Sequence, residues 1–330
     1  MVENAALNPH LRFVGVPESS PWIKGIRDVA DQIVEASQEE GMIEIDIDDS
    51  DVLREVKQLL TAHFSNLNLE EAMLLPNHVF MAPGTSNKGH GIPFVGATSD
   101  DGSILVFEYS PTLETEEYRD WNELLRTSII AHEMYHATAP TIFAPVWNGV
   151  ARESSGLNYA KKPGAVEEGL ATRFQIEAYT IIARHFRISG NMFQFYRNNL
   201  EGFNDRAKDL IYLRGIDEEG GAIPAFLPYK DSYVLVDWLI NGGSDLIEIL
   251  SPQFRAKYEK LFRDFSGIQG MEKLMEGARL KKHTLAFAKK IEGVFGAGSF
   301  RELVTSDSTQ AEALLGRLLD RLAESKRVVT

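Results

Sequence analysis

The chain has no cysteine. That absence excludes a disulfide scaffold, an iron–sulfur cluster, a Cys-ligated zinc site and a cysteine nucleophile. It fits a reducing compartment. Basic residues are scarce as well: 34 Lys plus Arg stand against 48 Asp plus Glu, for a formal net charge of −14. An acidic excess of this size argues against broad binding to nucleic acid or to anionic membrane surfaces, which needs clustered Lys and Arg. Long apolar runs are missing too. The longest uncharged stretch near the middle, residues 137–151, contains Pro140 and Pro145 and falls short of the ~20 apolar residues that span a bilayer. The first residues, MVENAALNPHLRFVGVPESSPW, show no basic segment leading into an apolar one, so no signal peptide is expected. Repeats and low-complexity segments are absent. The expectation is a cytoplasmic chain with no nucleic-acid or membrane partner.

What is present is an ordinary globular mixture, 44% hydrophobic and 25% charged over 330 residues, room for two or three structural units. Residues 22–40 are predicted helical, closing at Gly41. Residues 42–47 (MIEIDI) alternate with the period of a half-buried strand, and Asp49 or Ser50 caps a helix that runs to about residue 64. Residues 74–81 suggest another strand. Stretches 92–98 and 103–109 flank Ser99-Asp100-Asp101-Gly102, a hairpin signal. Two long helices are predicted over 116–137 and 165–186. After Gly190 the pattern reads as wholly helical, over 192–212, 231–241, 245–265, 270–293 and 308–325. The expected fold is α+β but predominantly α, with a small mixed or antiparallel sheet. It divides into an N-terminal α/β segment (1–70), a central core (71–190) and a helical C-terminal subdomain (191–330).

The motif that carries chemistry is His132-Glu133-Met134-Tyr135-His136. On a helix, positions i and i+4 stack on one face, so both imidazoles can point at one metal ion. The Glu beside the first His then lies where it can take a proton from a water. With 8 His and 30 Glu in the chain, chance yields such a pattern roughly 0.02 times per random sequence of this composition. A catalytic zinc also needs a third protein ligand and an open position. Candidates are His185, His283, and the pair Glu167 and Glu168 at the start of the next long helix. The lone histidines also fit ordinary core or surface roles, and the two carboxylates fit the positive end of a helix dipole. Glu167 aligns with the more apolar stripe (Ala171, Phe174, Ala178, Ile181), and Glu168 with Thr172, Gln175, Tyr179 and Ile182.

The order H-E-x-x-H, then a helix bearing Glu168-Gly169-Leu170-Ala171, resembles the gluzincin metallopeptidases, with a distant similarity to their aminopeptidase N group. The resemblance implies a zincin-like catalytic core in which His132, His136 and Glu168 hold Zn2+ and Glu133 is the general base. The segment from Pro228 to Leu239 is similar to the group's Tyr-bearing helix, which implies Tyr229 as hydrogen-bond donor to the oxyanion. Tyr233, one turn on, and His283 are alternative donors. The sequence departs from the group in three places. Ser232 replaces a usual Gly, the interval from His136 to Glu168 is longer, and the G-x-M-E-N signature that holds a free amino terminus is absent. Glu108 is the one carboxylate on the corresponding strand.

The expected function is zinc-dependent hydrolysis of a peptide or protein substrate, its extended main chain paired with strand 103–109. Two alternatives share these residues: a catalytically silent zincin-fold binding or regulatory protein, and a metal hydrolase of non-peptide amides or esters. Loops 84–92 and 137–164 would supply the substrate pockets. If the cleft shares the chain's negative field, basic or amine-bearing substrates are favoured.

Overall fold

The structure is a computed structural model. It describes residues 43–76, 78–82, 94–98, 104–108, 116–139, 164–186, 210–214, 222–226 and 229–328. The expected helix over 22–40, the turn 99–102, the loop residues 84–92 and 140–163, and the stretch 192–209 lie outside these. The chain is predominantly helical and divides into two compact units. One comprises Met1–Ile142 and Phe174–Leu227, the other Phe143–Arg173 and Pro228–Thr330.

In the first unit, strand β1 (Ile43–Asp46) ends in a 3-10 turn, Ile47–Asp49, and helix α1 (Asp51–Asn66) follows. The Asp46 carboxylate accepts from the Asp48 amide, so this acidic run serves as strand end and turn. Helix α1 buries Val52, Leu53, Val56, Leu60 and Phe64, one stripe at steps of one to four residues. Strands β2 (His78–Ala82), β3 (Phe94–Thr98) and β4 (Ile104–Glu108) complete a mixed sheet of order β1-β2-β4-β3. β2 runs parallel to β4, and β3 pairs with β4 as the antiparallel arm expected of the hairpin.

This order corrects one expectation. Strand β4, proposed from sequence to receive a substrate main chain, is paired on both sides, whereas β3 is paired on one side among the described residues. Helix α2 (Glu116–Ala137) packs on β3 and β4. It is buried nearly all round from Thr127 to Tyr135, not on one face alone. Helix α3 (Ala165–Phe186) contributes its residues from Phe174 onward to this unit. Phe64, Tyr135 and Phe174 stack in series, with ring centroids 6.2 and 5.8 Å apart, each pair worth about 0.5–1.5 kcal/mol beyond area burial.

A second correction concerns 191–330, which is not wholly helical. Strands β5 (Leu210–Arg214) and β6 (Ala222–Phe226) form an antiparallel ribbon. The sequence LIYLR favours a pleated surface, and Pro224 is tolerated because each strand of the ribbon is paired on one side only among the described residues.

The second unit is built around helix α4 (Lys230–Asn241), in which Val234, Leu235, Val236, Trp238 and Leu239 are fully buried. Around it lie α5 (Pro252–Arg263), α6 (Met271–Arg279), α7 (Thr284–Phe295), α8 (Ser299–Thr305) and α9 (Ala311–Val328). The Trp238 indole donates to the Phe262 carbonyl at 3.2 Å and lies among the rings of Phe262, Phe265 and Phe295. The expected helix 270–293 is broken at 280–283, where Lys281 adopts a left-handed φ of 62°. The first turns of α3 also belong here, tied down by the Ala165 amide donating to the Ser306 carbonyl. Among the described residues no helix is long and apolar enough to cross a membrane.

Candidate metal centre

Helix α2 stacks His132 and His136 one turn apart. Their ring centroids lie 4.8 Å from each other and their Nε2 atoms face each other at 3.1 Å. His132 and Glu133 are buried and His136 is partly exposed. The orientation of His132 comes from α3. Gln175 donates from its amide nitrogen to Ser128 Oγ at 2.8 Å, which turns its carbonyl oxygen toward His132 Nδ1 at 3.2 Å. The stacked pair Tyr135 and Phe174, adjacent in sequence to His136 and Gln175, fixes the two helices at this level.

Helix α3 presents two neighbouring carboxylates about 100° apart around its axis. Both oxygens of Glu167 meet Nε of the fully buried Arg279, at 2.8 and 3.0 Å. Glu168, 6% exposed, turns the other way and forms a group with His132 and His136 in which the ligand atoms all lie within 4.8 Å of one another. Gly169 lets this helix approach α4 closely, because a Cβ there would run into the Ser232 carbonyl and the Val236 side chain. The helix accepts the roughly 1 kcal/mol that a mid-helix glycine costs relative to alanine.

Compared with known protein families, with curated proteins and with solved structures, the chain matches none. What the site can hold is therefore read from its atoms. Two imidazole nitrogens and one carboxylate are a borderline donor set suited to a divalent transition ion such as zinc. Metal–nitrogen distances of about 2.0–2.1 Å in tetrahedral geometry place two ligand nitrogens about 3.3 Å apart. The 3.1 Å between the Nε2 atoms fits that span, and the Glu168 carboxylate belongs to the same group, its ligand atom within 4.8 Å of both imidazoles'. The residues fit the ion.

Glu133 neighbours His132 on the same helix. Tyr229 stands at the N-cap of α4, partly exposed, and Tyr233 is buried one turn further on. Glu108 closes strand β4 opposite Phe94. His185 is exposed near the end of α3. His283 caps α7 and lies against Gly277. Neither of these histidines belongs to the group formed by His132, His136 and Glu168. Two features escaped the sequence reading. One is the pairing of Glu167 with Arg279, which no local pattern announces. The other is Gln175. Its signal was available, since a polar residue two turns after Glu168 on the same stripe faces the same side of the helix.

Proposed function

We propose that the chain is a zinc-dependent metallopeptidase of gluzincin type with a zincin-like core. The observation that carries this reading is the convergence of His132 and His136, one turn apart, with Glu168 from a second helix. The order of hairpin, metal helix and Glu helix along the chain supports it, as does Glu133 beside the first His. His132, His136 and Glu168 would hold the ion, leaving a position for water and substrate. The chemistry supplied by zinc at such a site is polarisation of the scissile carbonyl and acidification of a water.

Glu133 accepts the proton of the attacking water and returns it to the leaving amine. Tyr229 donates from its neutral phenol to the carbonyl oxygen as charge develops there. The extended main chain of a peptide pairs with β3, an edge strand of the sheet among the described residues. The test is metal analysis joined to a cleavage assay on a broad peptide library. One zinc per chain and hydrolysis that chelators stop are expected. Full zinc occupancy without cleavage of any peptide would instead favour the silent binding protein, or a hydrolase of non-peptide amides and esters.

A further inference from the structure

We infer that Gln175 is a positioning residue that selects the metal-binding tautomer of His132, with Ser128 taking the other end of its amide. The inference rests on the metal reading above. A glutamine side chain has one accepting end and one donating end. Here the donating end meets Ser128 Oγ at 2.8 Å, so the accepting end is presented to His132 Nδ1 at 3.2 Å. An oxygen at that distance requires the hydrogen on Nδ1. A neutral imidazole with hydrogen on Nδ1 keeps its lone pair on Nε2, and Nε2 is the atom that faces His136 Nε2 at 3.1 Å. The reversed amide would place an N–H at Nδ1 and drive the ring hydrogen to Nε2, closing the side that a metal needs.

Burial makes the choice firm. Gln175 is 2% exposed, Ser128 2% and His132 6%, so water is poorly placed to substitute for either partner. Outer hydrogen bonds of this kind fix ring orientation and ligand basicity, and their loss typically lowers metal affinity ~10–100-fold. The orienting group here is a neutral amide and not a carboxylate. It fixes the tautomer without adding negative charge to a buried site that already contains Glu133 and Glu168.

The test uses the full chain and two readouts other than activity. In the metal-free protein, nitrogen-15 shifts of the His132 ring report which nitrogen carries the hydrogen; the Nδ1–H form is expected in wild type, relaxing toward Nε2–H in Gln175→Leu. Competition against a chelator gives the affinity for Zn2+. Gln175→Leu is expected to lose ~10–100-fold, Ser128→Ala roughly 2–10-fold, the range of one ordinary hydrogen bond. Gln175→Glu, which retains the acceptor, should hold wild-type affinity or exceed it, and it serves as the informative variant if the leucine variant does not fold. An Nε2–H ring in metal-free wild type, or equal affinity in wild type and Gln175→Leu, overturns the assignment alone. Wild type that shows the Nδ1–H ring yet holds no Zn2+ overturns the metal reading, and this assignment falls with it.

Discussion

Two groups of buried and half-buried polar side chains differ in what answers them. In the second unit charge meets charge. The Arg279 guanidinium, with no exposed surface, takes Glu167, while Arg173 pairs with Glu272 and approaches Asp237 at 3.7 Å. Around His132 and His136 two ring nitrogens instead face each other at 3.1 Å with a carboxylate beside them, an arrangement that suits a cation held by lone pairs. The contrast is sharpest at Glu167 and Glu168, neighbours in sequence on one helix that turn to different partners. The pair made by Arg279 serves the fold, because breaking it strands a buried charge away from water. A group of the second kind could hold a metal ion.

The largest expected effect is at Glu133. Glu133→Gln should keep zinc stoichiometry and lower turnover ~10²–10⁴-fold, the usual share of a general base. A variant that cleaves as fast as wild type would remove Glu133 from the mechanism. Next come the paired glutamates. Glu168→Gln should weaken zinc binding by at least ~100-fold, beyond the 10–100-fold typical of an outer-shell loss, and leave the unfolding midpoint of the metal-free chain near wild type. Glu167→Gln should do the reverse, costing about 1.5–3 kcal/mol in denaturant unfolding with zinc affinity unchanged. Equal loss of zinc by both variants would dissolve the distinction between the two groups.

Gly169→Ala tests how the glutamate helix is seated. Its Cβ would meet Ser232 backbone and Val236, so a cost of about 1–3 kcal/mol from overpacking should outweigh the gain of about 1 kcal/mol in helix propensity. Calorimetry would show the sign.

The smallest effect concerns Asp237. Burial pushes its carboxyl above the usual carboxylate range, Asn241 and Arg173 oppose that rise, and Glu272 adds to it. The native state therefore holds this proton to higher pH than the unfolded chain does. The associated stability is full below the unfolded value and is lost as pH rises through the folded one. Urea midpoints measured from acid toward neutral pH should fall less steeply in Asp237→Asn than in wild type, and parallel profiles would show that Asp237 does not carry the slope.

Segments governed by local pattern were legible. The MIEIDI strand, the hairpin arms and the helices of 116–137 and 165–186 follow from period and turn chemistry within a few residues. The ribbon of β5 and β6 was not. Leu210-Ile211-Tyr212-Leu213 is a short apolar run that periodicity cannot separate from buried helix, and its strand state depends on pairing with 222–226. The break between α6 and α7 was hidden for a different reason. No glycine or proline marks 280–283; the chain turns there with Lys281 at positive φ and His283 resting on Gly277.

At the site, the sequence alone determined that two imidazoles and the carboxylate of Glu133 lie within about one helical turn, because the helix period is set by hydrogen bonds within the segment. It also determined that any metal here is bound without a cysteine thiolate, since no cysteine exists. Tertiary structure decided the rest: which of two adjacent glutamates meets the histidines, which amide holds His132, and which strand of the hairpin lies at the sheet edge among the described residues. Each of those depends on partners drawn from far along the chain, such as Arg279 for Glu167 and β2 for β4. Packing of whole elements brings such partners together, and no local period records it.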